Sequence, residues 1–141
     1  MTHKFDGYNY LLRFDKDELL IAALTDFVKK QGIKAAWVSG LGGAQWAELG
    51  FYDLPATTYR WQRFDELLEV TALQGNIAWK DSEPALHLHG TLTNSQFQAI
   101  GGHVKELAVA GTCELFLHTI FGDEKLTRSA NETTGLSLLD L

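Results

Sequence analysis

Residues 15–32 have the sequence DKDELLIAALTDFVKKQG, which predicts the clearest helix of the chain. Asp15 is placed to cap this helix while Glu18 reaches back to it, as in a capping box. Lys29 and Lys30 complement the helix dipole in the last turn, and Gly32 suits the left-handed conformation that ends a helix. We therefore predict a helix over residues 16–31. Its apolar stripe, at spacings of three and four, consists of Leu20, Ala23, Leu24, Phe27 and Val28.

On either side of this helix, the sequence predicts short strands separated by turns. One early helix followed by many such strands favours an α+β fold, a mainly antiparallel sheet with one principal N-terminal helix packed on it. Residues 94–102 predict a short helix or an irregular loop, and we expect residues 1–141 to form a single domain. The strand-like segments are 5–14, 34–39, 45–53, 58–64, 67–79, 85–92, 104–110 and 112–121.

Composition and charge limit the class of protein. The chain is 45% hydrophobic and 21% charged, as is common for globular proteins, and its net charge of -6 disfavours nucleic-acid binding through a basic face. A lone cysteine, Cys113, cannot form an internal disulfide. The N-terminus carries no secretory pattern, and the longest apolar runs are far shorter than the roughly 20 residues that span a bilayer. We predict a cytoplasmic protein that does not bind membranes.

The alternating strand over residues 85–92 carries the most informative polar residues. Successive side chains of a strand point to opposite faces, so His87 and His89 share one face while Leu86, Leu88 and Leu92 share the other. Two imidazoles on one face can bind the same metal ion, and zinc requires at least one further protein ligand. His103, after a double glycine that permits close backbone approach, is the third candidate ligand.

A second interpretation treats these histidines as ordinary residues of an exposed strand. The sequence also offers reserve ligands at Glu69, Cys113, Glu114 and His118, although the apolar surroundings of His118 favour a core or interface position. His3 is expected in a frayed terminus. Three histidines with one open coordination position would suit zinc, and copper or nickel would also bind such ligands.

Two further patterns receive ordinary structural interpretations. The glycines of GLGG at 40–43 suggest a phosphate loop, but the following residues predict a strand rather than a helix, which favours a turn or bulge. The segment 59–64, YRWQRF, interleaves bases with aromatic residues, as in a platform for single-stranded nucleic acid. A two-sided hairpin strand would have the same pattern.

The order of these segments resembles that of the plants and prokaryotes conserved domain, the PPC or PCC family. The resemblance covers nearly the whole chain, and its centre is the HLH at 87–89 followed by the GGH at 101–103. Further similar segments are LRF at 12–14, SGLG at 39–42, LGFYD at 49–53, Glu69, GN at 75–76 and TTG at 133–135.

This resemblance implies a mixed α+β fold, a homotrimer and a metal, preferably zinc, bound by His87, His89 and His103. In plants the domain follows AT-hook motifs, and stand-alone prokaryotic members are described as DNA-binding on that association. This chain has no Arg-Gly-Arg-Pro hook and keeps the histidines that plant versions generally lack. Both departures weaken the transfer of the plant function.

Three functions remain open at this level. The first is a stand-alone PPC-domain protein with a zinc site and a DNA-binding or regulatory role, although the net charge does not support DNA as a partner. The second is a metal-dependent protein that binds a small molecule or hydrolyses it, with Glu69 as the nominee for general base. The third is a trimer stabilised by a structural metal. We assign no catalytic residue, and a non-enzymatic role is favoured.

Overall fold

The computed structural model describes residues 1–120, 122 and 124–141 of the chain. Within these residues, nine strands and one helix follow one another along the chain. Their bounds are β1 Thr2–Phe5, β2 Asn9–Asp15, α1 Leu20–Gln31, β3 Ala36–Asp53, β4 Thr58–Phe64, β5 Leu68–Lys80, β6 Glu83–Thr93, β7 Ala99–Thr119, β8 Arg128–Ala130 and β9 Ser137–Leu139.

Seven of the strands form one antiparallel sheet in the order β1-β2-β7-β6-β5-β3-β4. Because β3 also pairs with β7, the strands β3, β5, β6 and β7 close into a ring of neighbours. β8 and β9 form a separate two-stranded hairpin, and α1 packs against β6 and β7. The predicted α+β class, with a mainly antiparallel sheet and one principal helix, is confirmed.

Apolar side chains from α1 and the strands form one continuous core. Leu24 and Val28 of the helix and Leu88 and Leu115 of the sheet are fully buried. Full burial of a leucine or valine side chain contributes about 1.5–3 kcal/mol relative to exposure in water. The alternation of buried and exposed residues along the strands therefore fixes which side chains face outward.

The helix begins later than predicted. α1 starts at Leu20, because the chain makes a sharp turn just before the helix, where Asp17 has a φ of 72°. Glu18 does reach back, and its carboxylate accepts a hydrogen bond of 2.7 Å from the Asp15 backbone N–H, but this closes the preceding turn. No side chain of the preceding residues caps the helix. The predicted end is confirmed, with Gly32 at a φ of 65°.

Several predicted strand boundaries are wrong because glycines interrupt the pattern without ending the strand. The segments 34–39 and 45–53 are one strand, β3, and the segments 104–110 and 112–121 lie largely in β7. Phe121 lies outside the described residues.

Two other predicted segments contain turns. Segment 5–14 is divided by a turn in which the Asp6 carboxylate accepts hydrogen bonds from the backbone N–H groups of Tyr8 and Asn9. Residues 94–98 form a turn, and β7 begins directly after it.

The GLGG segment at 40–43 lies inside β3 and opens no helix, so the prediction of a turn or bulge is confirmed. The register of β3 against β5 shifts between Gly40 and Gly42. A Cβ atom on Gly42 would lie 2.5 Å from the Cα of Cys113, and one on Gly43 would lie 2.6 Å from the carbonyl oxygen of Ala110. These glycines allow β3 and β7 to approach closely.

No helix among the described residues is long and apolar enough to cross a membrane.

Candidate metal centre

Two histidines of the site lie on β6. Leu88, between them, is fully buried, whereas His87 is half-buried and His89 is exposed, as strand alternation predicts. Their Nε2 atoms are 3.2 Å apart. The two rings therefore point towards one common position on the outer side of the sheet.

Strand pairing brings the third histidine to the same place. β7 runs antiparallel to β6, and His103 lies directly opposite His89. The double glycine before it has a packing role, since a Cβ on Gly102 would lie 2.7 Å from the carbonyl oxygen of Gly50. The potential ligand atoms of the three histidines all lie within 4.8 Å of one another. In the described part of the chain, this is the one group of three or more such side chains with that geometry.

The cluster fits a metal ion by the geometry and chemistry of its donors. Two nitrogens bound to zinc at 2.0–2.1 Å with a tetrahedral angle are about 3.3–3.4 Å apart, close to the distance between the Nε2 atoms of His87 and His89. In addition, Nδ1 of His103 is buried without a hydrogen-bond partner among the described residues. Buried polar atoms are rarely left unsatisfied, and a bond to a metal is one way to satisfy this nitrogen.

The electrostatic environment favours the neutral, ligand-competent form of two of these imidazoles. Burial, followed by repulsion from His87, His89 and Arg128, lowers the pKa of His103 from 6.5 to about 4. Burial and then the charges of Arg128 and His89 lower the pKa of His87 as well. Because a metal binds only the unprotonated nitrogen, these lowered pKa values reduce competition from protons near neutral pH.

A cavity of about 540 Å³ opens beside His87 and His103. Tyr59 and Trp61 of β4 form part of its wall; their rings stack with centroids 4.6 Å apart, and Tyr59 lies 5.2 Å from the His103 ring. Burial raises the pKa of Tyr59, with a smaller effect from Tyr52. The rest of the lining includes Arg128 and residues 135–138 of the β8–β9 segment.

The reserve ligands lie elsewhere. Glu69 lines a separate depression with Leu67 and Phe97. Cys113 is fully buried, and its thiol, with a pKa raised by burial to about 11, donates to the carbonyl oxygen of Leu41. Glu114 and His118 are exposed on β7, so the core position expected for His118 is wrong, while its alternative, an interface position, stays a prediction. His3, expected in a frayed terminus, lies in β1 against Tyr10 and Phe27.

The sequence prediction missed the residues that surround the cluster. Alternation within 58–64 could have placed Tyr59 and Trp61 on one face, but nothing in the segment indicated that this face meets His103. Arg128 had no local signal, because it reaches the site through the pairing of β8 with β9 and a contact with Asn76 on β5.

Comparison with solved structures gives close matches over essentially the whole chain. A metal-containing protein from Archaeoglobus fulgidus is 32% identical with a TM-score of 0.88, covering 100% of this chain and 99% of that one. A plant- and prokaryote-conserved (PPC) protein from Pyrococcus horikoshii is 31% identical with a TM-score of 0.88, covering 99% and 95%. A protein from Bacteroides thetaiotaomicron, described as a candidate DNA-binding protein, is 27% identical with a TM-score of 0.93, covering 99% and 96%.

No functionally curated protein matches the sequence. The family model described as the Plants and Prokaryotes Conserved (PCC) domain matches residues 1–121, which include β1 to β7 and all three histidines. The chain belongs to the Plants and Prokaryotes Conserved (PCC) domain family.

Proposed function

We propose that the protein is a metal-binding PCC-domain protein in which His87, His89 and His103 hold one zinc ion. The observation that carries this proposal is the convergence of three imidazoles from two paired strands, with ligand atoms within 4.8 Å of one another. The metal-containing relative from Archaeoglobus fulgidus supports it. Imidazole ligands also suit copper and nickel, but a site of three histidines is a common zinc environment.

The surroundings of the cluster favour binding of a small molecule. Bound zinc would supply Lewis acidity and, with three protein ligands, an open coordination position. The adjacent cavity is large enough for a small organic ligand. Hydrolysis also needs a general base, and no aspartate or glutamate among the described residues lines this cavity. We therefore favour ligand binding over the alternatives of a hydrolase and of a purely structural metal.

Metal analysis of tag-free protein tests the site. We expect about one zinc per chain by mass spectrometry, and loss of stoichiometric zinc in His89→Ala and His103→Ala because two imidazoles rarely retain zinc. His118→Ala is the matched control, since this exposed histidine of β7 lies outside the cluster. Circular dichroism should show folded protein in all variants. Full zinc content in the His89 or His103 variant would contradict the assignment.

DNA association is the second candidate function, supported by the description of the Bacteroides thetaiotaomicron relative. The charge of this chain weighs against it. Basic residues beside the aromatic strand β4 are paired with acids: Arg63 with Asp65 at 2.6 Å, and Lys105 with Glu48 at 2.8 Å. Arg60 lies over the ring of Phe51, and its Nε is 3.8 Å from the Asp53 carboxylate. These contacts leave little uncompensated positive charge on this face.

A homotrimer is the proposed assembly, in which residues 1–141 act as one domain. Support comes from an outward-facing apolar stripe across the paired strands β2, β7 and β3, formed by Leu11, Phe116, Trp37 and Leu41. Leu41 is 57% exposed and Trp37 is 44% exposed. Exposed apolar side chains grouped on one face of a sheet, here with Glu114 and His118 between them, are typical of protein interfaces. Light scattering should give three times the mass of one chain, and a monomer would contradict the proposal.

A further inference from the structure

Arg128 is the cation nearest the metal cluster on the cavity side. It lies at the start of β8, and its side chain is half-buried. One guanidinium nitrogen donates to the Asn76 side-chain oxygen at 2.7 Å and lies 3.4 Å from Nδ1 of His87. The other terminal nitrogen donates to the carbonyl oxygen of Ser137 at 2.8 Å. Two neutral acceptors on separate elements thus hold the group in place.

The described residues supply no anion for this guanidinium. Arg128 forms no ion pair with any described residue, and the cavity that it lines contains no acidic side chain from the described part of the protein. Its Nε is buried and has no hydrogen-bond partner among the described residues. Charged side chains are seldom buried unless they are paired, because burial of an isolated charge is costly.

Occupation of the histidine cluster would increase this imbalance. The Nε2 atoms of His87 and His89 face each other, so Nε2 is the nitrogen of His87 directed into the cluster. If Nε2 binds a metal, the proton of the neutral ring must lie on Nδ1, which faces Arg128. The Nδ1–H group and the guanidinium are then two donors that cannot satisfy each other. Ligating histidines usually donate this second N–H to an acceptor, which is often a carboxylate.

We propose that the cavity binds a small organic carboxylate, whose oxygens accept hydrogen bonds from Arg128 and from the Nδ1–H of His87. A carboxylate matches the planar fork of the guanidinium and supplies the missing negative charge. The body of the ligand lies against the aromatic rings of Tyr59 and Trp61 and the apolar side chains of Leu136 and Leu138. The inference rests on the proposed zinc site and assigns its ligand class.

The apolar walls distinguish an organic acid from inorganic phosphate. Phosphate sites usually supply several backbone or side-chain donors around the anion. Here Arg128 is the only described cation that lines the cavity, and the lining also includes the aromatic rings of Tyr59 and Trp61. Aromatic and aliphatic walls with a few convergent polar groups are typical of sites for small organic ligands.

Calorimetric titration of the zinc-loaded full chain with phenylacetate and with phenylacetamide tests the inference. The two probes share their apolar body and differ in charge, so we expect saturable binding of the acid and at least about tenfold weaker binding of the amide. Arg128→Gln should weaken phenylacetate binding by about tenfold without changing the zinc content. Arg60→Gln makes the same charge change outside the cavity and should bind phenylacetate as the wild type does.

Other results of these titrations would contradict different parts of the proposal. Equal affinity for acid and amide, no saturable binding of the acid, or unchanged binding in Arg128→Gln would overturn the carboxylate site while leaving the zinc site in place. Inorganic phosphate that binds as tightly as phenylacetate would overturn the assignment to organic acids. Wild-type protein without zinc would overturn both the metal centre and the ligand class. The comparison of acid and amide uses wild-type protein and holds even if the Arg128 variant does not fold.

Discussion

His103 combines three properties that ordinary surface histidines lack. It is half-buried, its Nδ1 has no hydrogen-bond partner among the described residues, and its ring lies within 5.4–5.5 Å of the rings of His87 and His89. A protonated imidazole at this position would repel two neighbouring histidines and Arg128. The imidazole of His103 is therefore neutral in the folded protein near neutral pH.

The metal-free protein should become less stable as the pH falls from about 6.5 to about 4. The folded pKa of His103 is about 4 and its ordinary value is 6.5, so between these values the unfolded chain binds the additional proton. The free energy of unfolding then decreases on acidification, by up to about 1 kcal/mol per pH unit after allowance for solvent screening. Urea denaturation in the presence of a chelator, at several pH values, measures this slope.

His103→Gln is the comparison for this experiment, because glutamine keeps a polar side chain but does not titrate. Its unfolding free energy should vary less steeply over the same pH range. A slope that is identical in the wild type and the variant would show that His103 does not carry the effect.

The residues of the site were not equally predictable from the sequence. The pair on β6 follows from strand alternation alone, because residues two apart must share a face. His103 lies fourteen residues after His89, and its approach depends on strand pairing across the turn at 94–98. Arg128 could not be predicted, since its position depends on a distant hairpin packing against β5. Local sequence patterns indicate which side chains share a face of a strand. Which distant segments contact each other is known only from the folded structure.

At the scale of the elements, α1 lacks a local cap and receives one from β7 instead. The Glu106 carboxylate accepts hydrogen bonds from the backbone N–H groups of Ile21 at 2.7 Å and Ala22 at 3.1 Å. This contact joins residues more than eighty positions apart in the sequence, so no local motif could indicate it. The capping box predicted at Asp15 and Glu18 therefore placed the start of the helix too early. The negative charge also complements the positive end of the helix dipole.

Glu106→Ala should therefore destabilise the protein by about 1–2 kcal/mol, because two helix N–H groups lose their acceptor and the dipole loses its charge partner. Glu66→Ala, in the exposed turn between β4 and β5, is the control and should change the stability little. Chemical denaturation of both variants measures the difference. Equal stability of the two variants would show that Glu106 does not cap α1.

The glycines of β3 explain why two predicted strands are one. Gly42 has a φ of 155°, and its missing side chain leaves room for the backbone of Cys113 and Thr112 on β7, whose atoms would lie 2.5 Å from a Cβ. From the sequence alone, the glycines at 40–43 indicate a break between two strands. Here they permit a bulge and a close approach between two long strands.

Gly42→Ala should cost about 3 kcal/mol or more, because backbone atoms of β7 would have to move. Gly111→Ala is the control: its φ is 70°, but nothing lies within 4 Å of an added Cβ, so we expect about 1 kcal/mol from the left-handed conformation alone. Thermal denaturation of both variants tests the ranking. A Gly42 variant no less stable than the Gly111 variant would contradict the role of close packing.

For the whole molecule, the fold class was predictable and the closure of the sheet was not. The helix stripe and the turn signals indicate α+β, but the pairing of β3 with β7 closes the ring and is set by long-range contacts. The same closure brings β4, with Tyr59 and Trp61, beside His103 on β7, whereas Arg128 reaches the cavity from the β8–β9 hairpin. The site is thus a property of the assembled sheet as well as of its histidine motif.

The charge of the whole molecule predicts weak interaction with DNA. The net charge is -6, and a trimer would triple it, so a polyanion must overcome long-range repulsion before local contacts form. Filter binding of the zinc-loaded protein to duplex DNA should show low affinity with a shallow dependence on salt, because few phosphates are neutralised. The variant Arg60→Gln/Arg63→Gln removes the bases of β4 and should bind no differently. Tight binding that falls steeply with salt and is lost in this variant would establish β4 as a nucleic-acid surface and make DNA association the leading function.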